Sequence, residues 1–552
     1  MRKLSLTHEP DSLILLLKKR KFLSTMIPNK NRLLNLIVQR RSYLWFYVLI
    51  ASVCLSNIVI PIVMPQAVGF VKYLNEFTGV NYSKIRNFDS EEHISILSWG
   101  EYIPEGNGLG WDGKAYARVC KDFPSILFDE EYRSPRKIRF VPSAFAYLII
   151  KTLSLSFEAK DVVLGFRILD SVMLLLSVYF FLLICKEVGL TERGTWLAFV
   201  GLFVNYLVLK AAMYLPVSTN CTAFLLGLMA FYFYLKDSKL GLLLTTLIGL
   251  FTWPTFMYVG LLLFVFPNQK IEVCSTGNDF LVCCMSVLAS LSYFACYMVF
   301  VIVSGVDSYF GGSSIIQSVI PLSLCIVLTY IFVGTKIFLT SYNLLDYKAL
   351  RANCRLVRLI SFVALALCYS AFVKYGLNSQ QPPFLWTIKF WTPRAIIQPF
   401  VFYISHVIYW GPILLFTLFV WKRIVDLSKN FGLGLFLVLV FSYFLALNSE
   451  SRHLINVIPV VVILTAKALE TYPFNRQECW VFGIISVLYS KIWMLINTTK
   501  SMPSNFLEFP WQKYFMNFGP WMSNEMYIVH GIAVALTGIW LYRKIATGSF
   551  WS

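Results

Sequence analysis

The stretch YLWFYVLIASVCLSNIVIPIVMP (residues 43–65) decides the fold. It carries no formal charge and exceeds the roughly 20 residues an α-helix needs to cross a bilayer. It starts too late and runs too long for the ~7–15-residue core of a signal peptide, so it reads as a retained anchor. Apolar runs of the same kind follow along most of the chain. About fourteen spans are expected (range 11–14), near 43–65, 138–158, 164–185, 194–211, 217–235, 240–266, 279–303, 318–340, 357–375, 396–420, 431–447, 454–469, 478–496 and 526–542. Between 186 and 267 breaks such as Trp253-Pro254 can split or merge helices.

Composition agrees. Of 552 residues 57% are hydrophobic, 17% aromatic and only 14% charged, against roughly 25% charged in soluble domains. A soluble enzyme, a secreted disulfide scaffold and a disordered chain are excluded. The expected fold class is all-α: a polytopic transmembrane helix bundle with a long first outer loop that carries short interfacial helices. The organisation read from the sequence is a basic segment (1–42), the first span (43–65), a large extracytoplasmic loop (66–137), a first bundle (138–303) and a C-terminal bundle (304–552).

The net charge of +19 does not point to nucleic acid. Ten Lys/Arg lie in the first 41 residues, where short basic flanks stay cytoplasmic and meet anionic headgroups. The partner is the lipid bilayer, and no nucleic acid is expected. With the N-terminus inside, an even count returns Arg543 and Lys544 inside. The same alternation puts Lys348, Arg351, Arg355 and Arg358 inside, with Lys422, Arg423, Lys429 and Arg476. The outer face receives 66–137, 376–395, 448–453 and 497–525. The cysteines scatter through apolar runs and carry no functional signal.

Loop 66–137 holds eleven of the 29 Asp/Glu and nine Lys/Arg, too mixed and too aromatic for disorder. Its strongest element is GNGLG-WDGKAYARV (106–119), with Asp112 beside Gly113 and with Tyr116 and Arg118 downstream. EYRSPRKIRFVP (131–142) adds Arg133, Arg136, Lys137 and Arg139. A solvated helix flank has the same composition, yet positive-inside logic disfavours a basic cluster on this face. NSESRHLINVIP (448–459) crowds Glu450, Arg452 and His453 into one turn, where Arg presents a planar fork suited to phosphate. KFWTPRAIIQP (389–399) contributes Arg394. Within the apolar runs, His406 reads as a satisfied core histidine. No HExxH, GxSxG or P-loop occurs.

A basic N-terminus, one span, a long outer loop with WDGKAYARV and YRSPRKIRFVP, and a late outer SRHLINVIP (451–459) resemble the GT-C superfamily of integral-membrane glycosyltransferases. The architecture covers the whole chain, the motifs about 30 residues. The resemblance implies inverting transfer of a sugar from a polyprenyl-phosphate donor to a glycan, lipid or protein acceptor at the outer membrane face. It assigns Asp112 as catalytic base. Tyr116, Arg118, Arg133, Arg136, Arg394, Glu450, Arg452 and His453 become substrate contacts. Many relatives carry a paired Asp-x-Asp; here Asp129-Glu130-Glu131 is the nearest substitute, and no metal or other cofactor is expected. A bacterial inner membrane is expected, with the endoplasmic reticulum as the alternative. A lipid-linked oligosaccharide flippase or other transporter and a glycan polymerase or ligase remain rival readings.

Overall fold

The computed structural model describes residues 41–63, 110–132, 134–212, 215–271, 279–304, 314–342, 351, 354–379, 392–472, 474–492, 522 and 524–546. Arg133 and loop residues 66–109 lie outside this set. Every regular element among the described residues is a helix. In chain order these are α1 (Arg41–Val63), α2 (Gly110–Lys121), α3 (Phe140–Thr152), α4 (Ala159–Val188), α5 (Glu192–Phe203), α6 (Asn220–Leu235), α7 (Lys239–Leu250), α8 (Phe256–Val265) and α9 (Asp279–Ser304). They continue with α10 (Ser314–Ser341), α11 (Leu356–Ala371), α12 (Val401–Trp410), α13 (Ile413–Ser428), α14 (Leu433–Leu445), α15 (Ile458–Leu469), α16 (Arg476–Tyr489) and α17 (Asn524–Ala546). The chain divides into two compact units, Met1–Ser52 and Val53–Ser552. In the first, the Tyr43 and Phe46 rings stack at 5.7 Å. All that follows concerns the second.

Five helices among the described residues are long and apolar enough to cross a membrane, or six if the bent pair α12–α13 is one span. That pair turns by 113° at Gly411-Pro412. Gly411 has φ +92° and ψ 173°, a backbone region that belongs almost solely to glycine.

Length and composition thus support five or six crossings among the described residues rather than the expected count of about fourteen, and two of the expected spans are revised outright. Residues 138–158 do not form one crossing helix. A 3-10 turn (Pro135–Arg139) leads into the thirteen-residue α3, about 20 Å long against a core of ~30 Å. Then α4 begins, set by a capping box between Glu158 and Asp161. Residues 240–266 are not one span either: α7 and α8 fold back on each other. Phe256 packs where Gly249 lacks a side chain, and Thr246 does so at Gly260. Hydropathy is blind to both features, because an apolar hairpin and an outer apolar helix score as spans do.

At one end of the helices short polar links tie the turns together. Lys236 meets Glu187 at 2.5 Å and Arg358 meets Asp237 at 3.3 Å. The Ile271 N–H donates to the Lys429 carbonyl (3.0 Å), and the Thr191 N–H to the Glu470 carboxylate. The opposite end gathers α2, the Trp253 tip of the α7–α8 hairpin and the turn at 448–456.

Candidate functional site

Asp112 sits in the first turn of α2, where the helix dipole favours a carboxylate. Four residues on, Tyr116 is buried among Ala146, Val163, Phe166 and Val217, so the same face of α2 is core below and polar at its rim. Gly113 is forced by close approach: a Cβ there would meet the Val217 carbonyl oxygen at 2.8 Å. Arg136 is positioned by local rules. Ser134 caps the 3-10 turn by accepting the Arg136 N–H (3.3 Å), with Pro135 in its first turn. Lys137 is buried and donates to the Asp129 carbonyl (2.7 Å), which pins the preceding acidic turn.

The third component is the 448–456 turn. Trp410 Nε1 donates to the Ser451 carbonyl (3.0 Å), and His406 Nδ1 lies 3.0 Å from Ser451 Oγ. His406 Nε2 is 2.7 Å from the Ala446 carbonyl, so Nε2 holds the proton and Nδ1 accepts from the serine. On the other side, Thr255 Oγ1 donates to Asn456 Oδ1 (3.1 Å), and the absent side chain of Gly227 lets α6 reach the Asn456 backbone.

Between these clamps the charges meet. Arg136 donates Nε and Nη2 to Asp112 Oδ1 (3.1 and 2.8 Å). Arg452 donates Nη1 to Asp112 Oδ2 (3.2 Å) and Nε to Glu450 Oε1. Arg394 donates Nη1 to Glu450 Oε2 (3.0 Å). Arg139 lies 5.2 Å over the Trp253 ring and donates to the Tyr116 hydroxyl (3.2 Å). Asn448 reaches His453 Nδ1, and the His453 ring lies 6.0 Å from that of Trp253.

The electrostatics follow from burial set against neighbouring charge. Burial pushes the Asp112 carboxyl up, but Arg452, Arg136 and Arg139 outweigh it and hold the group below the usual carboxylate range. Glu450 is driven well below that range for the same reason, with Arg452, His453 and Arg394 opposing its burial. Burial lowers His453 to about 4, with Arg452 adding to the effect and Glu450 opposing it. At neutral pH the imidazole is therefore uncharged.

Of the residues expected from the sequence, Asp112, Tyr116, Arg136, Glu450, Arg452, His453 and Arg394 come together. Two of the expected residues are placed differently from the others. Arg118 is exposed and lies 4.7 Å over the Tyr132 ring, because six helical positions carry it around to another face of α2. Arg394 is 1% exposed and sealed against Glu450, since a buried guanidinium needs a buried partner. This pair steadies Arg452 from below. Arg452 and Arg136, at 36% and 38% side-chain exposure, open outward.

The sequence reading missed Trp253 and Asn456 as parts of the site; the one trace of the first was the Trp253-Pro254 break. Among the described residues no group of three or more His, Cys, Asp or Glu side chains gathers in a way that suits a metal ion. Asp129 instead accepts the Glu131 N–H (2.9 Å).

Behind the Ser451–Leu454 turn lies an apolar cavity of ≈ 420 Å³, within the size of small-ligand pockets. Tyr330, Tyr403, His406, Trp421, Tyr443 and Leu454 line it, with further apolar side chains from α10 and α13. No protein-family model, curated protein or solved structure matches this chain.

Proposed function

We propose that this chain is a membrane glycosyltransferase that moves a sugar from a polyprenyl-phosphate donor to an acceptor at the extracytoplasmic membrane face. One observation carries the reading. An acidic side chain in a Gly-rich helix start meets two outward-opening arginines from distant segments, and an apolar cavity lies behind the Ser451–Leu454 turn that carries one of them.

The chemistry suits those groups. As the acceptor oxygen attacks the anomeric carbon from the face opposite the phosphate, its proton passes to Asp112. The bond from that carbon to the phosphate oxygen breaks, its electron pair stays on the phosphate, and Arg452 and Arg136 take up the developing charge. Arg394 and Glu450 hold Arg452 in place, and His453 and Trp253 wall the sugar side. The apolar cavity behind the Ser451–Leu454 turn offers room for the isoprenyl tail of the donor.

The test is transfer from a single-sugar isoprenyl phosphate by the purified protein, with Asp112→Asn alongside. Transfer of one residue, lost in the variant while the protein still elutes as a folded species, supports the reading. Near-normal transfer by Asp112→Asn removes the base assignment. Reaction only with a lipid-linked oligosaccharide favours a polymerase or ligase, which shares the same outer-face arginines.

A further inference from the structure

Both oxygens of Asp112 accept from guanidiniums, Oδ1 from Arg136 and Oδ2 from Arg452. A carboxylate so held is a weakened base, because three guanidinium N–H groups take most of its acceptor positions. It fills the place an anionic ligand would take, because a guanidinium fork grips carboxylate and phosphate alike.

The charges that sense one another here are Asp112, Arg136, Arg139, Arg394, Glu450 and Arg452, with the titratable His453 imidazole beside them. Tyr116, Tyr132 and Tyr409 bring phenols to the same wall. Four guanidiniums face two carboxylates, which leaves two positive charges among the described residues.

We propose that the site selects a phosphate monoester dianion over a phosphodiester monoanion, and that this ligand draws Arg136 and Arg452 away from Asp112, releasing the carboxylate. The inference rests on the lipid-phosphate reading above and adds the charge state of the ligand. A sugar-bearing donor is a diester with one negative charge, and the phosphate that leaves is a monoester with two. The excess thus matches the leaving group, so the attraction grows as the bond from sugar to oxygen breaks.

Farnesyl monophosphate, its methyl ester (a phosphodiester) and inorganic phosphate are to be compared for binding to the full-length protein in nanodiscs. At pH 8 the monoester should bind roughly tenfold more tightly than the methyl ester. At pH 5 the preference should vanish, because the second proton returns to a phosphate monoester near pH 6. Asp112→Asn, which removes the competing carboxylate, should tighten monoester binding several-fold even though transfer is lost. A merely structural Asp112 would give weaker binding. Arg452→Gln should erase the preference.

Equal affinity for monoester and diester at pH 8, or weaker monoester binding in folded Asp112→Asn, overturns the proposal and leaves the transferase reading intact. Monoester preference without any sugar transfer supports the proposal and removes that reading. Inorganic phosphate binding as tightly as farnesyl phosphate keeps the dianion selectivity but makes the ligand a soluble ion rather than a lipid. No binding of either isoprenyl phosphate by folded protein overturns both.

Discussion

Arg452 Nη1 lies 3.2 Å from Asp112 Oδ2 across a sequence separation of 340 residues. Neither group is held there by its own short segment alone. Asp112 depends on α2 packing against Val217 and α3, and Arg452 depends on Glu450, Ser451 and the side chains of α12 beneath them. The contact therefore reports on the assembly of that whole end of the bundle.

Arg136 and Arg118 flank the same helix and should behave differently. Arg136→Ala removes a two-pronged contact to Asp112 and should lower transfer by about 100-fold or more. Arg118→Ala, which loses only an exposed stacking contact with Tyr132, should stay within a few-fold of the parent. Initial rates of sugar transfer at matched protein levels decide this. Equal losses would mean that the exposed arginine also reaches the substrate.

Glu450 is flanked by two guanidiniums, and Arg394 beside it is almost wholly buried. Glu450→Ala leaves a buried cation without its carboxylate and should cost about 3–5 kcal/mol. Adding Arg394→Met should recover part of that loss. Thermal unfolding in detergent reads both, and a double variant less stable than Glu450→Ala would contradict the assignment.

Acid should destabilise the protein in two stages. His453 titrates near 6.5 when unfolded and at about 4 when folded. Its contribution is fully present above pH 6.5 and is lost as pH falls toward 4, by about 1–3 kcal/mol. Asp112 and Glu450 have depressed folded values, so their contribution is present above the unfolded carboxylate range near 4 and is lost below it. In melting curves from pH 7 to 4, His453→Gln should flatten the upper stage alone. An unchanged pH profile in that variant would refute the buried neutral imidazole.

Gly411 allows the 113° bend between α12 and α13. An added Cβ meets little there, the nearest atom being the Val204 carbonyl oxygen at 3.8 Å. Gly411→Ala should therefore cost only backbone strain, about 1–3 kcal/mol. Gly189→Ala serves as the comparison: φ is +68° there, in the left-handed cap region, and the loss should be smaller. Equal losses at both positions would count against special strain at the bend.

Much of this is legible in the amino-acid sequence. Hydropathy exposes the helical membrane character, because runs such as 279–303 and 318–340 have no other low-energy home. The site residues stand out because charge is scarce: in a chain with so few ionic groups, Asp112, Arg394, Glu450 and Arg452 each need a partner. Two kinds of information were beyond reach. Whether 240–266 crosses or folds back depends on the turn at Trp253-Pro254 and on glycines that admit Phe256 and Thr246, and apolar content does not encode either. Which cations face outward depends on helical rotation and on what lies below, so Arg118 and Arg394 looked equivalent to Arg136 and Arg452.

One dimension of α4 bears on physiology. Its thirty residues reach about 45 Å, well past the ~30 Å oily layer, and its early turns support α3, where Ile150 packs on Gly165. The helix is thus longer than the layer it would cross. A thicker membrane would submerge those early turns in hydrocarbon or tilt the rod, so the level at which α3 is held becomes sensitive to acyl-chain length.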